Sequence, residues 1–199
     1  MNGGGPGRNK PDHEFYPTPW QAIDALWRVD PNLRSTPSVW EPACGDGAIA
    51  KFFQSHRRNI VATDLNDHGY GQAGINFLST QAALAPTIVT NPPFSLAEGF
   101  ITHAYTLRVE RLYLLLKSSF FHAEKRRTLF KSFTPIAIYP LAWRLDFLGY
   151  GAPAMECAWF VWDMSNLRDA CTYMPALEKP TVPSYYPTLF DPTAAPSKT

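Results

Sequence analysis

The chain has 199 residues, a formal net charge of +1, and is 45% hydrophobic and 14% aromatic. That length suits one domain with a sizeable core, and the near-neutral charge identifies no class of partner. No apolar run approaches the roughly 20 residues of a membrane span. The first residues lack a signal-peptide core, and the three cysteines form no Cys-x-x-Cys and no zinc spacing with the five histidines. The expectation is a cytoplasmic protein with reduced thiols, no metal and no membrane.

Residues 1–12 read as a Gly- and Pro-rich flexible arm. In Tyr16-Pro17-Thr18-Pro19, Thr18 is expected to cap a helix whose first position is Pro19. That helix presents Ile23, Ala25, Leu26 and Val29 on one face, with Trp27 beside it. Ser38–Glu41 reads as the first strand and Pro42-Ala43-Cys44-Gly45-Asp46-Gly47 as a tight loop opening a second helix. A Gly-rich loop between strand and helix lets backbone approach a ligand. The second strand, 60–64, ends in Asp64, followed by Leu65. Its distance from the loop is that expected of an acid binding ribose hydroxyls. A Gly-rich turn with an acidic cap has the same appearance. Ile75-Asn76-Phe77-Leu78 suggests a third short strand, with a polar end suited to an adenine or to water.

The strand Thr87–Thr90 leads into Asn91-Pro92-Pro93-Phe94. Each proline fixes its own φ, extends the residue before it and donates no hydrogen bond. The product is a stiff loop with one amide, free carbonyls and one ring. An exocyclic amine on a nitrogen heterocycle is a poor nucleophile, because its lone pair is delocalised. Acceptance of its two N–H bonds by the Asn91 side-chain oxygen and the Pro92 carbonyl favours a pyramidal nitrogen, and Phe94 can stack on the ring. The same four residues also suit a plain strand-to-helix turn.

A helix from Leu96 to Arg108 and a continuous apolar fifth strand from Arg111 to Leu116 follow. From Lys117 to Lys131 there are five Lys/Arg against one acid, interleaved with Phe120 and Phe121. Two readings stand: a nucleic-acid contact surface, or a solvated helix face with two core phenylalanines. Strands at 135–139 and 156–163 read as an antiparallel pair. Residues 171–199 are Pro-rich and read as an extended tail. The whole is an α/β sheet of seven strands, mostly parallel with an antiparallel last strand, and with helices on both faces.

Two motifs together carry a family resemblance. Val39-Trp40-Glu41-Pro42-Ala43-Cys44-Gly45-Asp46-Gly47 resembles the first cofactor motif of class I S-adenosylmethionine-dependent methyltransferases, which have a Rossmann-like fold. Asn91-Pro92-Pro93-Phe94 resembles the catalytic motif of their amino-methylating branch, chiefly DNA adenine-N6 enzymes. Tyr16-Pro17-Thr18-Pro19 resembles an additional cofactor motif that precedes the first strand. The resemblance implies a methyltransferase domain over 13–170. It implies S-adenosylmethionine held by Tyr16, Pro17, Thr18, Glu41, Pro42, Ala43, Cys44, Gly45, Gly47, Asp64, Leu65, Asn76, Phe77 and Asn91. It implies catalysis through Asn91, Pro92, Pro93 and Phe94 on a flipped-out base. Composition and place add Phe120, Lys125, Arg126, Arg127 and Arg144 as nucleic-acid contacts.

The interval between Gly47 and Asn91 is too short to hold a recognition domain, so low or short sequence specificity, or a partner subunit, is expected. The size and motifs are similar to solitary methyltransferases of phages and mobile elements. No Pro-Cys pair exists for cytosine-C5 chemistry. RNA adenine-N6, DNA cytosine-N4 and protein glutamine methylation remain as alternatives, as does an inactive nucleic-acid-binding module of the same fold.

Overall fold

The computed structural model describes residues 16–122, 124–147, 151–167 and 170–184. The 1–12 arm and the segment from 185 onward lie outside the described residues. Seven strands form one sheet: β1 (Ser38–Glu41), β2 (Asn59–Ala62), β3 (Thr87–Thr90), β4 (Arg111–Lys117), β5 (Ala137–Pro140), β6 (Cys157–Asp163) and β7 (Thr172–Tyr173). Their order is β2-β1-β3-β4-β6-β5-β7. β6 runs antiparallel to both β4 and β5, and every other pairing is parallel.

Side chains of successive strand residues point to opposite faces, so each central strand feeds two cores. Tyr113 and Leu115 of β4, with Trp159 and Val161 of β6, meet α1 (Trp20–Val29) and α3 (Ala48–Ser55) through Ile23, Leu26 and Phe53. Leu112, Leu114 and Leu116, with Phe160 and Trp162, form the other face, where α4 (Ala97–Thr106) contributes Phe100 and Ile101. Between α1 and β1 stands the short α2 (Pro31–Ser35). Its cap is Asp30, whose side chain accepts from the backbone N–H groups of Asn32 and Leu33. A last short helix, α5 (Arg127–Ser132), links β4 to β5. No described helix is long and apolar enough to cross a membrane.

Three details differ from the sequence-based expectation. Ile75–Leu78 is not a strand: Phe77–Ser79 form a single 3-10 turn, and Asn76 Oδ1 accepts from the backbone N–H of Leu78 at 3.0 Å. Phe77 is buried while Asn76 is exposed, so the segment carries one anchor and a side-chain cap, which specify a turn. The seventh strand comes instead from the Pro-rich segment read as a tail. β7 pairs with β5, and Leu177 donates to the Pro140 carbonyl at 2.7 Å and is buried. An edge position tolerates neighbouring prolines, because one side of the strand needs no donors. Finally, α1 begins at Trp20 with Pro19 as its cap residue and no side-chain cap bond. Thr18 therefore does not cap it, and its buried face includes Trp27 while Val29 is exposed.

Candidate active site

β1, β2 and β3 are neighbours and parallel, so the residues after them emerge on one edge of the sheet. Along that edge the order is Asp64, Glu41, Asn91. Backbone bonds from Thr63 N to Glu41 O (2.9 Å) and Cys44 N to Thr63 O (3.0 Å) extend the β1–β2 pairing into the loop. The loop then folds on itself, with Gly47 N donating to Cys44 O at 2.8 Å. Gly47 has φ +79°, and a Cβ there would lie 2.3 Å from the Tyr70 ring. A side chain is excluded on both counts. Gly47 shapes the loop from behind rather than lining the cleft.

The acids on this edge differ in what satisfies them. Asp64 Oδ2 accepts from Gly45 N at 2.9 Å and Oδ1 from Asn66 N at 2.8 Å. The carboxylate is thus fixed by the Gly loop and by its own turn. Glu41 is 2% exposed, and its Oε2 has no hydrogen-bond partner. Burial pushes its carboxyl well above the ordinary carboxylic range; a backbone hydrogen bond from Ala50 offsets this in part, and the nearby Asp46 and Asp64 charges add to it. Cys44 is buried as well. Burial first, then the charges of Glu41 and Asp64, push its thiol up to about 12, so it is no thiolate nucleophile at neutral pH.

Asn91 is half-buried at the end of β3. Its Nδ2 donates to the Tyr16 carbonyl at 3.0 Å and to Thr18 Oγ1 at 3.2 Å. Its Oδ1 is buried without a partner. The stretch before α1 therefore lies across the start of the Asn-Pro-Pro-Phe turn. Phe94 stacks on Tyr16 with ring centroids 5.8 Å apart and planes at 26°. It meets Phe147 edge-on at 6.4 Å, and Lys117 Nζ lies 5.0 Å from its centroid. The expected stacking face of Phe94 is thus engaged by protein groups. Pro92 is buried.

One cleft of about 360 Å³ joins these features. Tyr16, Pro17, Thr18, Glu41, Pro42, Ala43, Cys44, Gly45, Asp64, Leu65, Asn76, Phe77, Asn91 and Pro93 all line it; Gly47, Pro92 and Phe94 do not. The volume is that of a small-molecule site. Sequence reasoning missed His68, Asn66, Ser95, Leu96 and Phe100, which also line it. Ser95 and Leu96 directly follow the proline motif, a signal that was available. His68 Nε2 lies 3.9 Å from Asp64 Oδ1, a contact made through a turn with no motif of its own.

The basic segment after β4 matches the core-and-solvent reading in large part. Phe120 is 5% exposed and packs on Phe130 and Phe160, so it is a core residue and not a surface for bases. Arg126 is turned inward as well. It donates to Glu98 at 2.9 Å and to the Phe120 carbonyl at 3.1 Å, and lies over the Phe120 ring at 4.1 Å. Arg127 is well exposed, with Glu124 at 3.5 Å. Arg144 pairs with Glu156 at 2.8 Å, both exposed. The Lys125 side chain lies outside the described residues.

No family model matches the chain, and no curated protein matches it. Solved structures do. A "putative RNA methyltransferase" from Pyrococcus horikoshii aligns with a TM-score of 0.57 at 12% identity, over 75% of this chain and 86% of that one. A type I restriction-modification system methyltransferase subunit from Streptococcus thermophilus aligns at 0.55 and 10% identity, over 74% of this chain and 44% of its own. A dimethyladenosine transferase from Plasmodium falciparum aligns at 0.53 and 11% identity, over 75% and 62%. This chain thus spans less than half of the restriction-modification subunit. At such identities the likeness is one of architecture: the chain has the Rossmann-like fold found in class I methyltransferases.

Proposed function

We propose that the protein is an S-adenosylmethionine-dependent methyltransferase acting on an exocyclic amine of a nucleobase, with adenine N6 in DNA as its substrate. The observation that carries this reading is that a single cleft is lined by Glu41 and Asp64 and also by Asn91 and Pro93. A cofactor site and an amine-handling motif therefore share one space.

The residues present fit S-adenosylmethionine. Glu41 has an unpartnered buried oxygen, and Asp46 and Asp64 stand close enough to raise its pKa, so the site suits a ligand with positive charge. Asp64 is oriented by two backbone N–H groups, as a carboxylate binding ribose hydroxyls must be. Leu65, Ile75, Phe77 and Phe100 supply apolar lining suited to a purine. When bound, S-adenosylmethionine would supply an electrophilic methyl carbon on a sulfonium, with the neutral thioether as leaving group and the proton lost from the nitrogen once it is alkylated.

The chain's contribution is placement. Asn91 Oδ1 accepts an amine N–H and holds the nitrogen facing the cleft. Tyr16 lines the cleft near Asn91 and is packed against Phe94 and Phe147, which hold its ring in place beside the incoming base. A base in a duplex reaches this site only after leaving the stack, at a cost of about a few kcal/mol. RNA adenine, cytosine N4 and protein glutamine share the amine chemistry and are alternative outcomes of the test. A partner subunit is a further source of sequence specificity.

The experiment is Asn91→Ala. Methyl transfer to DNA is expected to fall below detection, while the affinity for S-adenosylhomocysteine, measured by calorimetry, stays within about fivefold, because an orienting contact acts on the reacting amine. An unchanged transfer rate in that variant overturns the assignment.

A further inference from the structure

The Asn91 amide can be turned two ways with nearly the same shape, and its neighbours decide which. An amide has two donors on nitrogen and an acceptor on oxygen. The Tyr16 carbonyl can only accept, so the amide nitrogen must face it; the flipped amide would set oxygen against oxygen. The Thr18 hydroxyl can donate or accept, and it accepts here. Both N–H groups are thereby engaged, at 3.0 and 3.2 Å. Thr18 is free for this because it caps no helix: α1 starts with Pro19 as cap residue and no side-chain bond. Thr18 is itself buried, at 9% exposure. Tyr16 is held by its ring, stacked on Phe94 at 5.8 Å and tilted on Phe147 at 5.3 Å.

We propose that Tyr16 and Thr18 are positioning residues that lock the Asn91 amide with only its oxygen free, so that the site admits an amine and refuses a carbonyl. This rests on the reading of Asn91 as the amine-binding group. The buried Oδ1 has no partner, and an unsatisfied buried acceptor is unfavourable until a donor arrives. An amino N–H is that donor. The exocyclic carbonyl oxygen of a hypoxanthine or uracil at the same place would meet Oδ1 with a second acceptor, and the lock prevents the amide from turning to accommodate it. A site built around a hydrogen bond rejects the analogue that lacks it.

The test uses Thr18→Val, which keeps the shape and removes the hydroxyl, and Thr18→Ser, which restores it. In Thr18→Val the methyl-transfer rate at saturating cofactor is expected to fall about tenfold, with S-adenosylhomocysteine affinity within about threefold of wild type; Thr18→Ser recovers most of the rate. Nitrogen-15 NMR gives a readout independent of turnover. In the wild type, both Asn91 side-chain protons, assigned by their loss in Asn91→Ala, should be shifted downfield and slow to exchange. One of them should move to a free position in Thr18→Val. Unshifted, fast-exchanging amide protons in the wild type overturn the lock without any Thr18 variant having to fold. A large loss of S-adenosylhomocysteine affinity with full transfer at saturating cofactor overturns it too, and assigns Thr18 to the cofactor. Wild-type protein that transfers no methyl group to any amine overturns the functional reading alone, because the resonances still report the lock.

Discussion

Two regions at the carboxyl edge of the sheet differ in how their polar groups are used. The cleft between Glu41 and Asn91 is built from short loops and prolines. The segment after β4 is strongly basic. The first keeps unused hydrogen-bonding capacity: Glu41 Oε2 and Asn91 Oδ1 are buried with no partner. The second has much of its capacity engaged. Arg126 is bound to Glu98, the Phe120 carbonyl and the Phe120 ring, and Phe120 itself is core. Buried polar groups are nearly always satisfied in folded proteins. Unsatisfied ones on residues that line a cleft therefore single out candidate ligand contacts, which a count of charges does not.

The comparison can be broken most sharply at Asn91, where loss of the amide should abolish transfer. The next largest effect is expected at Gly47. Its φ is +79°, and the Tyr70 ring lies 2.3 Å from where a Cβ would stand, so Gly47→Ala is costly. A loss of about 1–3 kcal/mol in urea unfolding is expected, from backbone strain and the displaced ring. A variant as stable as the wild type would show the loop to be pliable rather than built.

Glu41 sharpens the comparison through pH. Its folded-state pKa is raised by burial, so the folded protein binds this proton more tightly than the unfolded chain does. Stability of the ligand-free protein should therefore fall as pH rises from the ordinary carboxylic range through the raised pKa. A cationic ligand favours the ionised form, so S-adenosylhomocysteine, through its ammonium group, should bind more tightly as pH rises over the same window. Glu41→Gln should flatten both slopes in pH-dependent melts and calorimetry. Slopes retained in that variant would assign them to another group.

The smallest effects are expected in the basic segment. Arg126→Ala should cost about 1 kcal/mol of stability, from the lost ion pair and ring contact, with little change in DNA affinity. Arg127→Ala should leave stability unchanged and reduce the salt slope of DNA binding by about 1. An equal loss of salt slope in both variants would return Arg126 to the contact surface.

Much of this was readable in the chain. The strands at 38–41, 87–90 and 111–116 were legible, the last two as a β-branched and a continuous apolar run, and most residues of the Gly loop, with Asn91 and Pro93, line the cleft, while Gly47, Pro92 and Phe94 do not. What escaped was set by contacts far apart in sequence. Phe77 anchors a turn because Trp40 and Phe100 surround it, with ring centroids at 5.2 and 4.5 Å. Thr172–Tyr173 became a strand because β5 offered an open edge. Thr18 looked like a helix cap, and only the fold reveals that Asn91 takes its hydroxyl. The inward turn of Arg126 likewise depends on Glu98 of α4, which no local pattern announces.

The most direct measurement is product identification. Purified protein would be incubated with labelled S-adenosylmethionine and, separately, duplex DNA, single-stranded DNA, RNA and total protein, with the digested products resolved by mass spectrometry. The account predicts N6-methyladenine in DNA, spread over many sequence contexts. Label confined to RNA or protein would keep the cleft and overturn the substrate. No label in any of the four, from protein that binds S-adenosylhomocysteine, would contradict the assignment of Asn91 as the group that presents an amine for methylation.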